Sequence, residues 1–508
     1  MSTSDETRRA GRGLVSIAGA KSYFIVTGYA VQLLLPRIFG EAKEFGLYSA
    51  AMGGVAILTN VLIVATMQSV SKFVSEDEAR AEVTLRQGLR VQTLLGGALG
   101  LGLFVLAPAI ARLLLDDQLT RLLRIASVLV FAYALYATVV GTLNGQHWFG
   151  KQARLDVTFS TLRTLGILTG AALGLGALGA VAGFATAAIA ILSISLIWIG
   201  IGKPGEPIPI RRWIGFMAPI WAYQVCLNGI LMIDLQVLKR TATEIALAST
   251  TTSQAAIDLA NQYVGYYRAA QTFAFVPYQL IISMTFVVFP MISKATSIGD
   301  REAAKSTIQH AMRLSLLLLL LFAAPVAGAA HGVMRIAYPA EYLAGAPALA
   351  VLVFGVAAFA LFAVAATAIS GAGKPSLAAM IAGVSMVAVI VANRALVMRA
   401  GLGEQTLEAA ALGTSMGMAL ALVLAIWAMH RSLGVFVPAV TWLRAALSAG
   451  AGYAAASAFP SDSPPLAIVA LVLGASSSVA VLFVSRELTG QDWQVLRRVI
   501  GRDQSSRR

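Results

Sequence analysis

The sequence predicts an all-α polytopic membrane protein of about 14 transmembrane helices, arranged as two six-helix lobes related as parallel repeats plus two C-terminal helices. Three observations carry that prediction. Hydrophobic residues make up 58% of the chain and charged residues only 12%, far from the balance of a soluble domain. Apolar runs of about twenty residues recur from end to end, each long enough to cross a ~30 Å hydrocarbon core as a helix. A motif of the first half also returns in the second: Phe45-Gly46-Leu47-Tyr48-Ser49-Ala50-Ala51 is matched by Val264-Gly265-Tyr266-Tyr267-Arg268-Ala269-Ala270. The shift of about 219 positions is the period of a duplicated half-protein.

The predicted spans lie near 14–35, 45–70, 91–111, 122–143, 156–176, 180–201, 214–236, 263–289, 310–330, 345–370, 377–397, 408–429, 440–457 and 465–485. Runs such as Leu314–Ala330 and Leu466–Val484 are apolar on every side, which reads as lipid contact. The single cysteine, Cys226, lies in such a run, so no intramolecular disulfide forms. An even number of spans puts both ends on one side. Placing them inside assigns roughly 23 of the 38 Lys and Arg to cytoplasmic loops and tails and about 8 to outside loops. This placement in short connections between apolar runs also argues against a nucleic-acid partner, despite the formal charge of +14.

The resulting organisation is a cytoplasmic tail at 1–13, an N-lobe at 14–201, a cytoplasmic linker at 202–213, a C-lobe at 214–429, two further helices within 440–485 and a basic cytoplasmic tail at 486–508. The duplication extends beyond the opening motif. Leu106-Ala107-Pro108 answers to Ala323-Ala324-Pro325, and Leu143-Asn144-Gly145 before Lys151 answers to Ile369-Ser370-Gly371 before Lys374. Six helices separate the copies, so both begin on the same side, as repeats related by an axis along the membrane normal. After the second span, Ser75-Glu76-Asp77-Glu78 has the pattern of a capping box, followed by an amphipathic stretch to Arg90. It predicts a short helix on the inner leaflet, with a counterpart from Ser297 to Arg313. The longest outside loop, Lys239–Gln262, is polar and rich in Thr, Ser and Ala.

No enzymatic constellation is present. His147, His310, His331 and His430 are scattered without metal-ligand spacing. Gly371-Ala372-Gly373-Lys374-Pro375 lacks both the spacing and the Ser/Thr of a phosphate-binding loop. The expectation is a protein without catalytic residues, metal or cofactor. The informative residues are ionisable groups inside spans, where each costs roughly 2.5–3.5 kcal/mol near the bilayer centre. They are Lys21, Arg163, Asp234, Arg268 and Arg394, with Arg37 at the edge of the first span. Snorkelling accounts for Arg394 and is open to Lys21 and Arg163. Arg268 either pairs with Asp234 or lines a cavity. Asn60 and Gln68 share a face within about 80° on a 3.6-residue helix, and Tyr223 and Asp234, and Arg268 and Gln279, are nearly eclipsed. Such stripes line a wet interior or serve as interhelical glue.

The segments FGLYSAA and VGYYRAA, the two six-helix halves, LNGQHWFGKQAR after the fourth span and SGAGKP after the tenth resemble the polysaccharide flippases. These form the Wzx-like branch of the multidrug/oligosaccharidyl-lipid/polysaccharide exporter superfamily. The resemblance, over residues 10–490, implies two lobes around a cavity lined by the first, second, seventh and eighth helices, alternating between inward- and outward-open states. It implies an undecaprenyl-pyrophosphate-linked oligosaccharide as cargo, a bacterial inner membrane with its lipids as the setting, and other polysaccharide-assembly proteins as partners. Arg268, Arg37 and Lys21 are the candidate cationic contacts, with Asn60, Gln68 and Gln271 as further cavity residues. Asp234 is the candidate for coupling to H+ or Na+. The Thr/Ser-rich insert of about twenty residues before the eighth span departs from the short loop that the resemblance leads one to expect. A multidrug exporter of the same superfamily would need a carboxylate-rich cavity. A membrane polymerase or ligase would need a large outside loop carrying Arg and His, and a scaffold would leave the intramembrane charges dispensable.

Overall fold

A computed structural model describes residues 3–249, 252–279, 281, 301–435 and 437–487. Regular structure among them is helical throughout, without a strand. The helices are α1 (Thr3–Phe39), α2 (Ala42–Glu76), α3 (Ala81–Leu113), α4 (Leu119–Gly145), α5 (Phe149–Gly170), α6 (Gly176–Ile199), α7 (Ile210–Ser249), α8 (Ser253–Ala274), α9 (Arg301–Gly328), α10 (Ala330–Ala337), α11 (Ala346–Gly371), α12 (Pro375–Ala400), α13 (Thr406–Leu433), α14 (Ala439–Ala458) and α15 (Pro464–Val484). Eleven helical stretches among the described residues are long and apolar enough to cross a membrane. The protein is a multi-pass membrane protein. One stretch, Phe149–Ile199, is two legs: Gly174 and Gly176 take positive φ (77° and 55°) at a turn that only glycine adopts without strain. The legs then close glycine on glycine, since a Cβ on Gly183 would lie 1.8 Å from the Gly166 carbonyl oxygen. The predicted span 263–289 begins inside α8, and its residues 280 and 282–289 lie outside the described residues, as do Pro290, Ser297, Asp300 and most of the tail at 486–508.

Contacts group the chain into two compact units. The first comprises Met1–Thr272, Tyr338–Gly345 and Ala379–Gly417. Its centre is α4, which is buried on almost every side and packs against α2, α3 and α6. Small residues set the spacing: a Cβ on Gly96 would sit 2.4 Å from that of Ala134. At the start of α6 the Glu44 carboxylate accepts the Ala177 N–H at 2.8 Å, an anion at the positive end of a helix. The duplicated motif meets itself in this unit. A Cβ on Gly46 would fall 1.8 Å from the Asn261 carbonyl oxygen, and one on Gly265 would fall 2.3 Å from that of Ala42. Each glycine faces the carbonyl four residues before its own repeat partner, so α2 and α8 cross reciprocally, as two elements related by a twofold operation do.

The second unit comprises Phe273–Ala337, Ala346–Ala378 and Met418–Arg508. There α9 packs against α11, α14 and α15, and the last two pair antiparallel through mutual Ser448 and Ser478 hydroxyl-to-carbonyl bonds of 2.9 and 3.0 Å. Just past α15, Glu487 gathers Arg313 (2.9 Å), Arg444 (3.0 Å) and Thr441 (3.1 Å), joining the middle of α9 to the first turns of α14.

Three sequence expectations change. The stretch Lys239–Gln262 is not a loop: α7 continues to Ser249 and α8 starts at Ser253. The apolar period simply runs on, with Leu238, Ala242 and Ala246 buried. The capping box does not form, because the Ser75 hydroxyl donates instead to the carbonyls of Ser71 (2.8 Å) and Gly145 (3.2 Å). The amphipathic stretch to Arg90 is the opening of the long α3 itself and not a separate interfacial helix.

Candidate functional site: a cationic cavity beside a buried carboxylate

Within the first unit, α1, α2, α5, α6, α7 and α8 line a cavity of about 170 Å³. Its lining includes Gly28, Val31 and Gln32 of α1, Tyr48, Ser49, Met52, Gly53 and Ala56 of α2, Arg163 and Ile167 of α5, Phe184 of α6, Met232 of α7 and Arg268 of α8. Two guanidinium groups face this space and no carboxylate does among the described lining residues. Arg163 stacks over the Phe24 ring at 4.1 Å, and its Nη2 is buried without a hydrogen-bond partner among the described residues. Glycine at position 28 makes room for it, since a Cβ there would stand 3.3 Å from that nitrogen. The Ser49 hydroxyl and Gln32 Oε1 are likewise buried without partners among the described residues. A charge taken out of water without a counter-charge is costly. The cavity is therefore electrostatically matched to an anion with several acceptor oxygens.

Next to it lies Asp234, 1% exposed. Its carboxylate accepts from the Tyr267 hydroxyl (2.8 Å), Gln271 Nε2 (2.9 and 3.1 Å), the Thr414 hydroxyl (3.2 Å) and the Leu235 N–H (2.8 Å). Asn393 braces Thr414 at 3.1 Å. No arginine reaches the carboxylate as an ion pair among the described residues; Arg268 instead donates to Gln271 Oε1 at 3.3 Å. The two alternatives for Arg268 thus resolve into one chain, arginine to amide to carboxylate, with the guanidinium on the cavity side.

The other predicted residues lie elsewhere. Lys21 is 56% exposed and pairs with Asp156 at 3.2 Å. Arg37 is exposed, with its Nη1 on the Leu33 carbonyl at 2.7 Å. Asn60 donates to Asn228 at 3.0 Å, an α2–α7 bond, while Gln68 is exposed. Arg394 is held by Glu244 at 2.8 Å. None of these five lines the cavity. Arg163 was legible as an intramembrane charge but not as a cavity residue, because its inward direction depends on Phe24 of a helix more than a hundred positions away.

A second buried charge centre escaped the sequence reading. Lys239 Nζ lies 2.8 Å from Asp116 Oδ2, both side chains 0% exposed. Asn261 closes the group, accepting from Lys239 at 2.7 Å and donating to Asp116 at 3.2 Å. The signal available was helical periodicity carried through a polar stretch, which would have placed Lys239 on the buried face of α7.

A family model described as "Polysaccharide biosynthesis protein" matches residues 11–296, more than half of the chain. The chain belongs to this family. Lipid II flippase MurJ in an inward closed conformation superposes with a TM-score of 0.73 at 16% identity, over 96% of this chain and 99% of that one. An inward-facing multidrug resistance MATE transporter of the MOP superfamily gives 0.63 at 13% identity, covering 82% and 94%. A MOP transporter from Pyrococcus furiosus, described as having a binding pocket of reverse polarity, gives 0.57 at 14% identity, covering 84% and 96%. At such identities the likeness is one of fold. No curated protein matches the chain in sequence. The family is thus one of polysaccharide biosynthesis, and the fold is the one these membrane transporters share.

Proposed function

We propose that this protein is a flippase carrying an undecaprenyl-pyrophosphate-linked oligosaccharide across a bacterial inner membrane for surface polysaccharide assembly, with both termini cytoplasmic. The observation that carries the reading is the cavity in which Arg163 and Arg268 converge without a carboxylate among the described lining residues. A pyrophosphate supplies the missing negative charge, and its oxygens take up the guanidinium donors. The hydroxyls of the sugars need a hydrated path, while the polyprenyl tail stays in lipid. Ion coupling falls to Asp234: H+ or Na+ at that carboxylate competes with the Gln271 amide, and the amide in turn holds Arg268. A multidrug exporter of the same fold, taking organic cations, would be poorly served by a cavity of this sign.

The test is deletion of the gene in its host, which should leave lipid-linked glycan in the inner leaflet and remove surface polymer. Complementation with Arg268→Ala or Arg163→Ala should fail while membrane levels stay normal, and Arg268→Lys should restore part. Full restoration by both Arg268→Ala and Asp234→Asn would sink this assignment of the site.

A further inference from the structure

We propose that Lys239, Asp116 and Asn261 form the latch of a gate that closes one end of the cavity. The inference rests on alternating access as read above, and naming the latched face as the outer one rests on the proposed orientation.

Position is the first argument. Asp116 sits in the corner between α3 and α4, in the first repeat, whereas Lys239 and Asn261 belong to α7 and α8, in the second. The cavity residues of those two helices are Met232 and Arg268. Each lies seven residues from its latch residue, about 10 Å along a helix axis. The ion pair therefore caps the cavity two turns away along both helices. It lies over the reciprocal crossing of Gly46 and Gly265, because the backbone carbonyl of Asn261 is the atom pressed against Gly46. Further bonds tie the same repeats at the same end: Arg240 donates to the Leu113 carbonyl at 2.5 Å, and Lys43 lies 3.5 Å from Asp258.

Chemistry is the second. The ammonium, the carboxylate and the amide each bond to the other two, and the Gln118 N–H fills a further site on Asp116 at 3.1 Å. As a device for stability alone this is a poor choice, since a dry ion pair recovers little more than its own desolvation and apolar side chains of that volume would do as well. As a gate it has an advantage over an apolar seam. When the repeats part at this end, both ions are hydrated and regain the solvation lost on closing, so open and closed arrangements stay close in free energy. An apolar seam would expose its surface to water on every opening.

The test uses a cysteine reporter in the cavity, Met52→Cys, in a Cys226→Ala background, labelled with a membrane-impermeant maleimide on intact spheroplasts and on inverted vesicles. Because a lone unpaired lysine could unfold the protein, the latch is removed as Asp116→Asn/Lys239→Met, which strands no charge. Labelling is expected to rise several-fold from the outer face alone. A rise only in inverted vesicles would keep the latch and overturn the orientation, and with it that part of the proposed function. No rise from either face overturns the latch. An equal rise from both faces also overturns it, since the pair would then be holding the fold together and not a gate.

Discussion

Two charge centres lie about two helical turns apart along α8, at Asn261 and at Arg268, and they are built on opposite plans. Lys239 and Asp116, both 0% exposed, neutralise one another and share Asn261. Arg163 and Arg268 face a common cavity with no carboxylate among its described lining residues. The first centre is complete without a ligand. The second is complete only with an anion. Removing a charge from the first should therefore damage the fold, whereas removing one from the second should damage transport and leave the fold alone.

Ordered by expected cost in stability, the first test is Asp116→Asn, which strands Lys239 in a dry site and should cost about 3–5 kcal/mol, read as a large fall in Tm in detergent or nanodiscs. No change would erase the distinction between the centres. Gly46→Ala should exceed the ~1–3 kcal/mol usual for overpacking, because its Cβ would meet a backbone carbonyl at 1.8 Å. Gly54→Ala, with 3.9 Å of room to its nearest neighbour, should instead be neutral or stabilise by up to about 1 kcal/mol. Glu487, past the last span, should give an acid-dependent loss. Burial pushes its carboxyl up, but the hydrogen bonds from Arg313, Arg444 and Thr441 outweigh this and hold it below its ordinary 4.5. With the folded value depressed, its contribution is full above that ordinary value and is lost as pH falls through the lower folded one. Glu487→Gln should flatten the acid limb of a Tm–pH profile. Glu76→Gln should cost at most about 1 kcal/mol, since Lys72, Glu76 and Arg212 are 39–57% exposed, and added salt should shrink even that. Arg268→Ala sits at the bottom of this scale: Tm should hold or rise while surface polymer is lost.

Much of the fold was legible because a membrane makes backbone satisfaction and apolar length decisive. The repeat motif was legible down to its glycines, and the crossing of Gly46 with Gly265 shows why both copies need them. The stretch 239–262 was misread for a definite reason. Lys239, Arg240, Thr243 and Glu244 read as wetted, yet their partners are Asp116, the Leu113 carbonyl, the Lys239 carbonyl and Arg394. Most of those partners lie more than a hundred positions away. Periodicity places a residue on a face of its helix but does not say what that face meets.

The same limit divides the whole protein. By itself the sequence determined the helical class, the duplication, the membrane spans and the short list of ionisable residues inside them, because each follows from local composition and period. Only the tertiary structure decided which of those charges is neutralised and which is left facing a cavity. Lys21 found Asp156, Arg394 found Glu244 and Lys239 found Asp116, while Arg163 and Arg268 were brought together. The field at a buried charge is set by groups within a few ångströms, and helices far apart in the chain supply them.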